Sequence, residues 1–404
     1  MSYLPDLNTK RQTPTDEPAL SVRTVHSAAG TSAFGVPISN QEFVSTELLF
    51  SYGILGETVN TSYGNGGYIS ASGGMAYVTA GSSVNGYAAL EGKDALHYVS
   101  GFGGRLKFAG YFVSGGMDNS YQEVGIGDSI DGYFFGYSGS QFGVLRRSDG
   151  NDNWITQQSW SLDQMDGTGP SQQILNPTLG NVYSISYQWL GFGAITYLVE
   201  DAATGMLCPV HRINYANANV DTSIRNATLP LHIGVRSVGS TGSVAVRVSS
   251  IAGMIEGTPP IHGLRRGDQD TASSVTPEVP LISIMNTGSF NGRINRMSIK
   301  VDSVSIASRD TTGITQYRLV QNATLTNSVW TSVSASNSPV SVDKSATNIS
   351  GGRQILFMGL GPNRTQLADI SHLNVKLSPG ETLTLTCSGS NSTCLGGLSW
   401  VEET

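Results

Sequence analysis

The sequence predicts an all-β chain: two tandem β-sandwich, jelly-roll-like domains preceded by an extended N-terminal arm. Three observations predict it. From about residue 40, short alternating or apolar runs such as RLKFAGYFV, DGYFFGYS, QFGVLRRS and LPLHIGVRSV are separated by Gly, Asn, Asp and Ser, the pattern of short strands and tight turns. No segment carries a 3.6-residue apolar stripe longer than two turns. Glycine supplies 49 of 404 residues, while Asp, Glu, Lys and Arg supply only 13 %, roughly half the usual share of about 25 %. Because 39 % of the chain is hydrophobic, this low charge marks strands and turns held in an assembly, not disorder.

In chain order, residues 1–35 are polar, contain Pro5, Pro14 and Pro18, and show no sustained period. They read as an arm suited to lie along a neighbouring subunit. Residues 36–257 hold the strongest β signal and form the first sandwich domain; with Trp154 and Trp160 beside polar loops it resembles lectin-like domains by fold analogy. Within it, QWLGFGAITYLVED reads as a buried, bent strand pair, with Tyr187 and Trp189 packed and Gly191 and Gly193 at the turn. Residues 258–277 carry Pro259, Pro260 and Pro277 among small polar and charged residues and read as a Pro-rich linker. Residues 278–404 return to shorter, Thr- and Ser-rich strands, as expected of a smaller sandwich with one wet face. Cys387 and Cys394 flank the loop SGSNST and are placed to face each other across a hairpin. With Cys208 they make an odd, sparse set, for which free thiols are the expectation in a cytoplasmic product.

The net charge of −7, with Arg146-Arg147 and Arg265-Arg266 isolated beside acidic residues, argues against nucleic acid as the main partner. No apolar run reaches the length of about 18 residues that a membrane helix needs. The opening MSYLPDLNTKRQTPTDEPALSV lacks the apolar core of a secretory signal, so the product is expected to be made in a cytoplasm.

Catalytic patterns are scarce. A glycosidase needs two carboxylates roughly 5–10 Å apart. The acidic pair in a strongly β stretch, Glu200-Asp201, points to opposite faces of a strand. Gly136-Tyr137-Ser138-Gly139-Ser140 misses the last glycine of a nucleophile elbow. Gly125, Gly127 and Gly132 lack dinucleotide-binding spacing. His26, His97, His211, His232, His262 and His372 are scattered, without the spacing of a zinc site. The expectation is no enzyme and no cofactor. Two sets of candidates remain. Asp149 and Asp152, in the loop Asp149-Gly150-Asn151-Asp152-Asn153, offer oxygen ligands to calcium, although turn chemistry alone explains the same residues. Trp154 and Trp160, with Tyr133 and Tyr137, are candidate platforms for stacking a sugar.

Two longer stretches, DGYFFGYSGSQFGVLRRSDGNDNWI (131–155) and NPTLGNVYSISYQWLGFGAITYLVED through NATLPLHIGV (176–235), resemble structural proteins of tailed bacteriophages and some large aquatic viruses. NATLTNSVWTSV (322–333), VDKSATNISGG (342–352), LSPGETLTLTCSG (377–389) and LSWVEE (398–403) are similar to a second pattern in phage appendage proteins. PDLNTKRQTP (5–14) resembles their N-terminal arms. The resemblance implies a non-enzymatic virion protein of the tail, baseplate, fibre or capsid-decoration type. Such a protein docks on other virion proteins through its arm. It is expected to self-associate, as a trimer before a dimer, and to bind host-surface glycan as its alternative role. A polysaccharide-degrading enzyme is the more distant alternative.

Overall fold

The computed structural model describes residues 41–239, 242–257 and 263–403. The predicted arm, residues 1–35, lies outside the described residues, as do residues 258–262 of the predicted linker. The described chain is all-β: its helical content is two single 3₁₀ turns, Gln157–Ser159 and Ser371–Leu373.

The first sandwich contains fifteen strands. The first eight are β1 (Glu42–Leu49), β2 (Val59–Gly64), β3 (Tyr68–Ser72), β4 (Met75–Thr79), β5 (Tyr87–Leu96), β6 (Gly104–Phe112), β7 (Ser120–Gly127) and β8 (Gly132–Ser138). There follow β9 (Gln141–Ser148), β10 (Asn151–Thr156), β11 (Asn181–Tyr187), β12 (Ile195–Glu200), β13 (Leu207–Ile213), β14 (Leu229–Ser237) and β15 (Ala245–Glu256). One sheet runs β13-β12-β11-β6-β15-β4-β3, with β1 also on β15; the other runs β10-β9-β8-β7-β14-β5-β2. Alternation explains the layering. In β6 (GRLKFAGYF) Leu106, Phe108 and Phe112 point inward, and in β11 (NVYSISY) Tyr183, Ile185 and Tyr187 do the same. The expected turn after Tyr187 is present, with Gly191 at φ 85°, a conformation glycine takes without a Cβ penalty.

The centre of this core is aromatic. Phe135 packs against Tyr183 (4.9 Å), Tyr197 (5.4 Å), Phe108 (6.2 Å) and Trp160 (6.3 Å). Tyr133 is 0 %, Trp160 4 % and Tyr137 7 % exposed. None of these three presents a ring face for a sugar, contrary to the sequence reading. The reason is strand phase: Tyr133, Phe135 and Tyr137 alternate on the inward face of β8, and Trp160 closes the same core from the segment after β10.

The second sandwich has a separate core, including Ile284, Val301, Leu319, Leu385 and Trp400. Its five-stranded sheet begins earlier than expected. Leu264–Val275 is a twelve-residue strand paired antiparallel with Ser392–Glu403, so most of residues 258–277 is sheet and not linker. The strand lies at the sheet's edge and is wet along most of its length. Its polar, charged composition is that of an edge strand, and for this reason it carries no apolar period. Cys387 and Cys394 lie on consecutive strands of different sheets, and their thiols meet inside the core and not across a hairpin. All three cysteines are free thiols, as the sequence leads one to expect.

The two sandwiches are joined by a buried arginine. Arg296 of the second inserts a side chain only 6 % exposed between Asp128 and Asp131 of the first. Its Nε donates to Asp128 Oδ2 at 2.9 Å and its Nη1 donates to the carbonyl of Asn226 at 3.2 Å. Asp128 is pre-oriented, because its Oδ1 already accepts the N–H groups of Ile130 and Asp131.

Candidate functional site

Two features of the first sandwich bring chemistry-bearing side chains together: the outer face of the seven-stranded sheet and a cavity at one end of that sheet. Because directly opposed residues share a face, the register reads out the outer face. Across it, Trp154 stands opposite Leu145, Leu145 opposite Phe134, Phe134 opposite Gly125, Gly125 opposite His232 and His232 opposite Glu91. The face is strongly curled: Asp152 on β10 and Arg236 on β14, with three strands between them, approach to 3.6 Å.

Charges alternate across this concavity. Glu91 meets His232 Nδ1 at 3.1 Å, and Glu123 lies 4.0 Å from His232 Nε2. Arg147 then bridges Glu123 (2.7 Å) and Asp152 (2.6 Å). The guanidinium of Arg147 covers the ring of Phe134 at 5.2 Å, and that ring packs edge-on to His232 at 5.5 Å. Burial works to lower the His232 pKa, but the Glu91 hydrogen bond and the charges of Glu91 and Glu123 outweigh it and hold the imidazole above its ordinary value.

A pH signature follows. Protonated His232 stabilises the fold fully below the unfolded value of about 6.5, and that contribution is lost as pH rises through the raised folded value. Unfolding midpoints measured from pH 5 to 9 are expected to fall over that window in the native chain and to stay flatter in His232→Gln. Parallel curves for the two proteins would remove the assignment.

The predicted calcium loop is taken up by arginines. Asp149 Oδ2 accepts from Arg225 at 3.2 Å, and Asp152 accepts from Arg147. Among the described residues no group of three His, Cys, Asp or Glu side chains is arranged to hold a metal ion. Glu200 ends β12 and Asp201 opens the following turn, accepting from Ala203 N and Thr204 Oγ1. Of the four predicted stacking residues, Trp154 alone is partly exposed. Sequence reasoning missed Glu91 and Glu123, because β14 separates their strands and each looks like a lone polar residue. Their signal was phase: each sits next to a core residue, Leu90 and Val124, and so faces outward.

The cavity, about 450 Å3, opens where the β8–β9 hairpin meets the segment after β10. Tyr137 and Phe142 form its floor, and Gln141, Gln157, Gln158, Gln164 and Asp166 its rim. Gln157 Nε2 donates to the carbonyl of Gln164 (2.8 Å), and Gln164 Nε2 donates to the carbonyl of Gln158 (2.6 Å). Asp166 Oδ1 accepts both the N–H and the hydroxyl of Thr168, which hold its carboxyl below the usual range. A larger cavity, about 1190 Å3, separates the sandwiches. Its charged lining is largely paired, Lys93 with Glu381 and Arg353 with Glu57.

No protein-family model matches the chain, and no curated protein matches it. Several solved structures overlap the chain over about half its length. A peanut lectin is 12 % identical and covers 55 % of this chain and 100 % of its own, with a TM-score of 0.34. A legume lectin-like domain from Entamoeba histolytica is 13 % identical, covers 51 % and 95 %, and scores 0.30. A glycosyl hydrolase family protein from Mycobacterium fortuitum is 9 % identical, covers 52 % and 99 %, and scores 0.36. At such scores these likenesses bear on neither ligand nor chemistry.

Proposed function

We propose that this chain is a non-enzymatic carbohydrate-recognition protein whose ligand enters the cavity between Tyr137 and Asp166. The observation that supports it is the state of the rim. Gln157 and Gln164 commit their amide N–H groups to the backbone, which leaves both Oε1 atoms to accept from a ligand. Asp166, ionised at neutral pH, offers Oδ2, while the exposed Gln141 and Gln158 add donors and acceptors. Planar amides and a carboxylate around one cavity suit a ligand dense in hydroxyl groups. The non-enzymatic part rests on the acids of the outer face, where Glu123 and Asp152 are ion-paired with Arg147 and Glu91 with His232. A virion setting, an arm at residues 1–35 that docks on other virion proteins, and a homo-oligomer with a trimer before a dimer are carried by the sequence resemblance.

The test is a glycan array followed by calorimetry on the full chain and on Gln141→Ala/Asp166→Ala. The double variant is expected to bind at least about tenfold more weakly, a loss of roughly 1.4 kcal/mol or more. Glycan binding that the double variant leaves intact would sink the assignment to this cavity, and release of new reducing ends would sink the non-enzymatic reading.

A further inference from the structure

We propose that the bound glycan is a linear oligosaccharide that leaves the cavity at Gln141 and runs across the outer sheet face over Ser138, Tyr121 and Arg236 to Tyr87. This inference rests on the cavity being a glycan site and adds the length and course of the ligand. Its basis is register. Gln141, on the rim of the cavity, stands opposite Ser138, which stands opposite Tyr121; Tyr121 stands opposite Arg236, and Arg236 opposite Tyr87. The five residues form one row across β9, β8, β7, β14 and β5. At the ordinary strand spacing the row spans roughly 19 Å, far more than one sugar ring needs.

The row ends in two planar groups, each held flat by what lies beneath it. Arg236 rests its guanidinium 4.1 Å over the ring of Tyr121 and remains 45 % exposed at the side chain. The ring of Tyr87, 43 % exposed, lies on Gly64, where an added Cβ would meet Tyr87 Cε1 at 2.9 Å. Stacking fixes the guanidinium plane; one Nη lies 3.6 Å from Asp152 Oδ2, and the exposed remainder of the group is placed to meet hydroxyl or carboxylate oxygens of a passing chain. The bare side of the Tyr87 ring offers a platform for the apolar face of a sugar. An extended peptide fits less well, because a sheet face presents no unpaired backbone for strand addition.

The experiment uses the full chain and four series of di- to hexasaccharides: cello-, laminari-, malto- and galacturonic acid oligomers. In any series that binds, the hexamer is expected to bind about tenfold or more tightly than the dimer. Tyr87→Ala and Arg236→Ala are each expected to abolish that gain while leaving dimer affinity unchanged, with melting curves confirming the fold. Gly64→Ala, which lifts the Tyr87 ring without removing it, is expected to act in the same direction. If the hexamer binds no better than the dimer, or the gain survives these variants while Gln141→Ala/Asp166→Ala still abolishes binding, the extension is wrong and the cavity reading stands. If no oligomer of any length binds, both fall.

Discussion

Arg296→Met is expected to cost about 3–5 kcal/mol, the usual penalty for removing one partner of a buried ion pair, and to separate the unfolding of the two sandwiches. Asp128 Oδ2 takes both Nε and Nη2 of this arginine, and Asp131 Oδ2 lies 3.7 Å from Nη1. Methionine fills similar space but leaves two carboxylates in a site almost sealed from water. Calorimetry should resolve one cooperative transition in the native chain into two in the variant. Arg296→Met/Asp128→Leu, which removes both a charge and its counter-charge, should recover part of the loss. A single unshifted transition in Arg296→Met would mean that the apolar and backbone contacts of the interface hold the sandwiches together without the arginine.

Phe135→Ala is the second large expected effect, about 3–5 kcal/mol by the usual cost of truncating a buried phenylalanine. The ring is 0 % exposed and touches Phe108, Tyr183 and Tyr197 of the facing sheet and Trp160 of the closing segment. Rings approached from several sides leave a cavity that neighbours cannot fill by small rotations. Since native stability is typically about 5–15 kcal/mol, denaturant titration should show the first sandwich losing a large share of its own. A loss below about 1 kcal/mol would mean that the surrounding rings collapse into the gap.

These two residues show what the chain declares locally and what it does not. Phe135 sits in DGYFFGYS, which reads as a strand at sight, and its neighbours Tyr133 and Tyr137 were candidate ligand platforms on composition alone. Strand phase sends all three inward together. Arg296 lies in a polar stretch, NGRINRMS, with no periodic signal. Its importance depends on a turn 168 residues earlier in the chain. The same holds for Glu91, Glu123 and His232, which come from three strands and meet only when β14 lies between β5 and β7.

By itself, the sequence determined the all-β class, the run of short strands, the glycine turn after Tyr187 and the return to β structure in the C-terminal third. These are local properties, because alternation and turn chemistry act over a few residues. The tertiary structure alone decided that Leu264–Val275 is an edge strand, since such a strand needs only one partner and no apolar face. It also decided which aromatic rings are core, which aspartates answer to arginines, and that Gln141, Arg236 and Tyr87 share one row. Those facts depend on strand order and register, which are set by long-range pairing and leave no trace in any short window of residues.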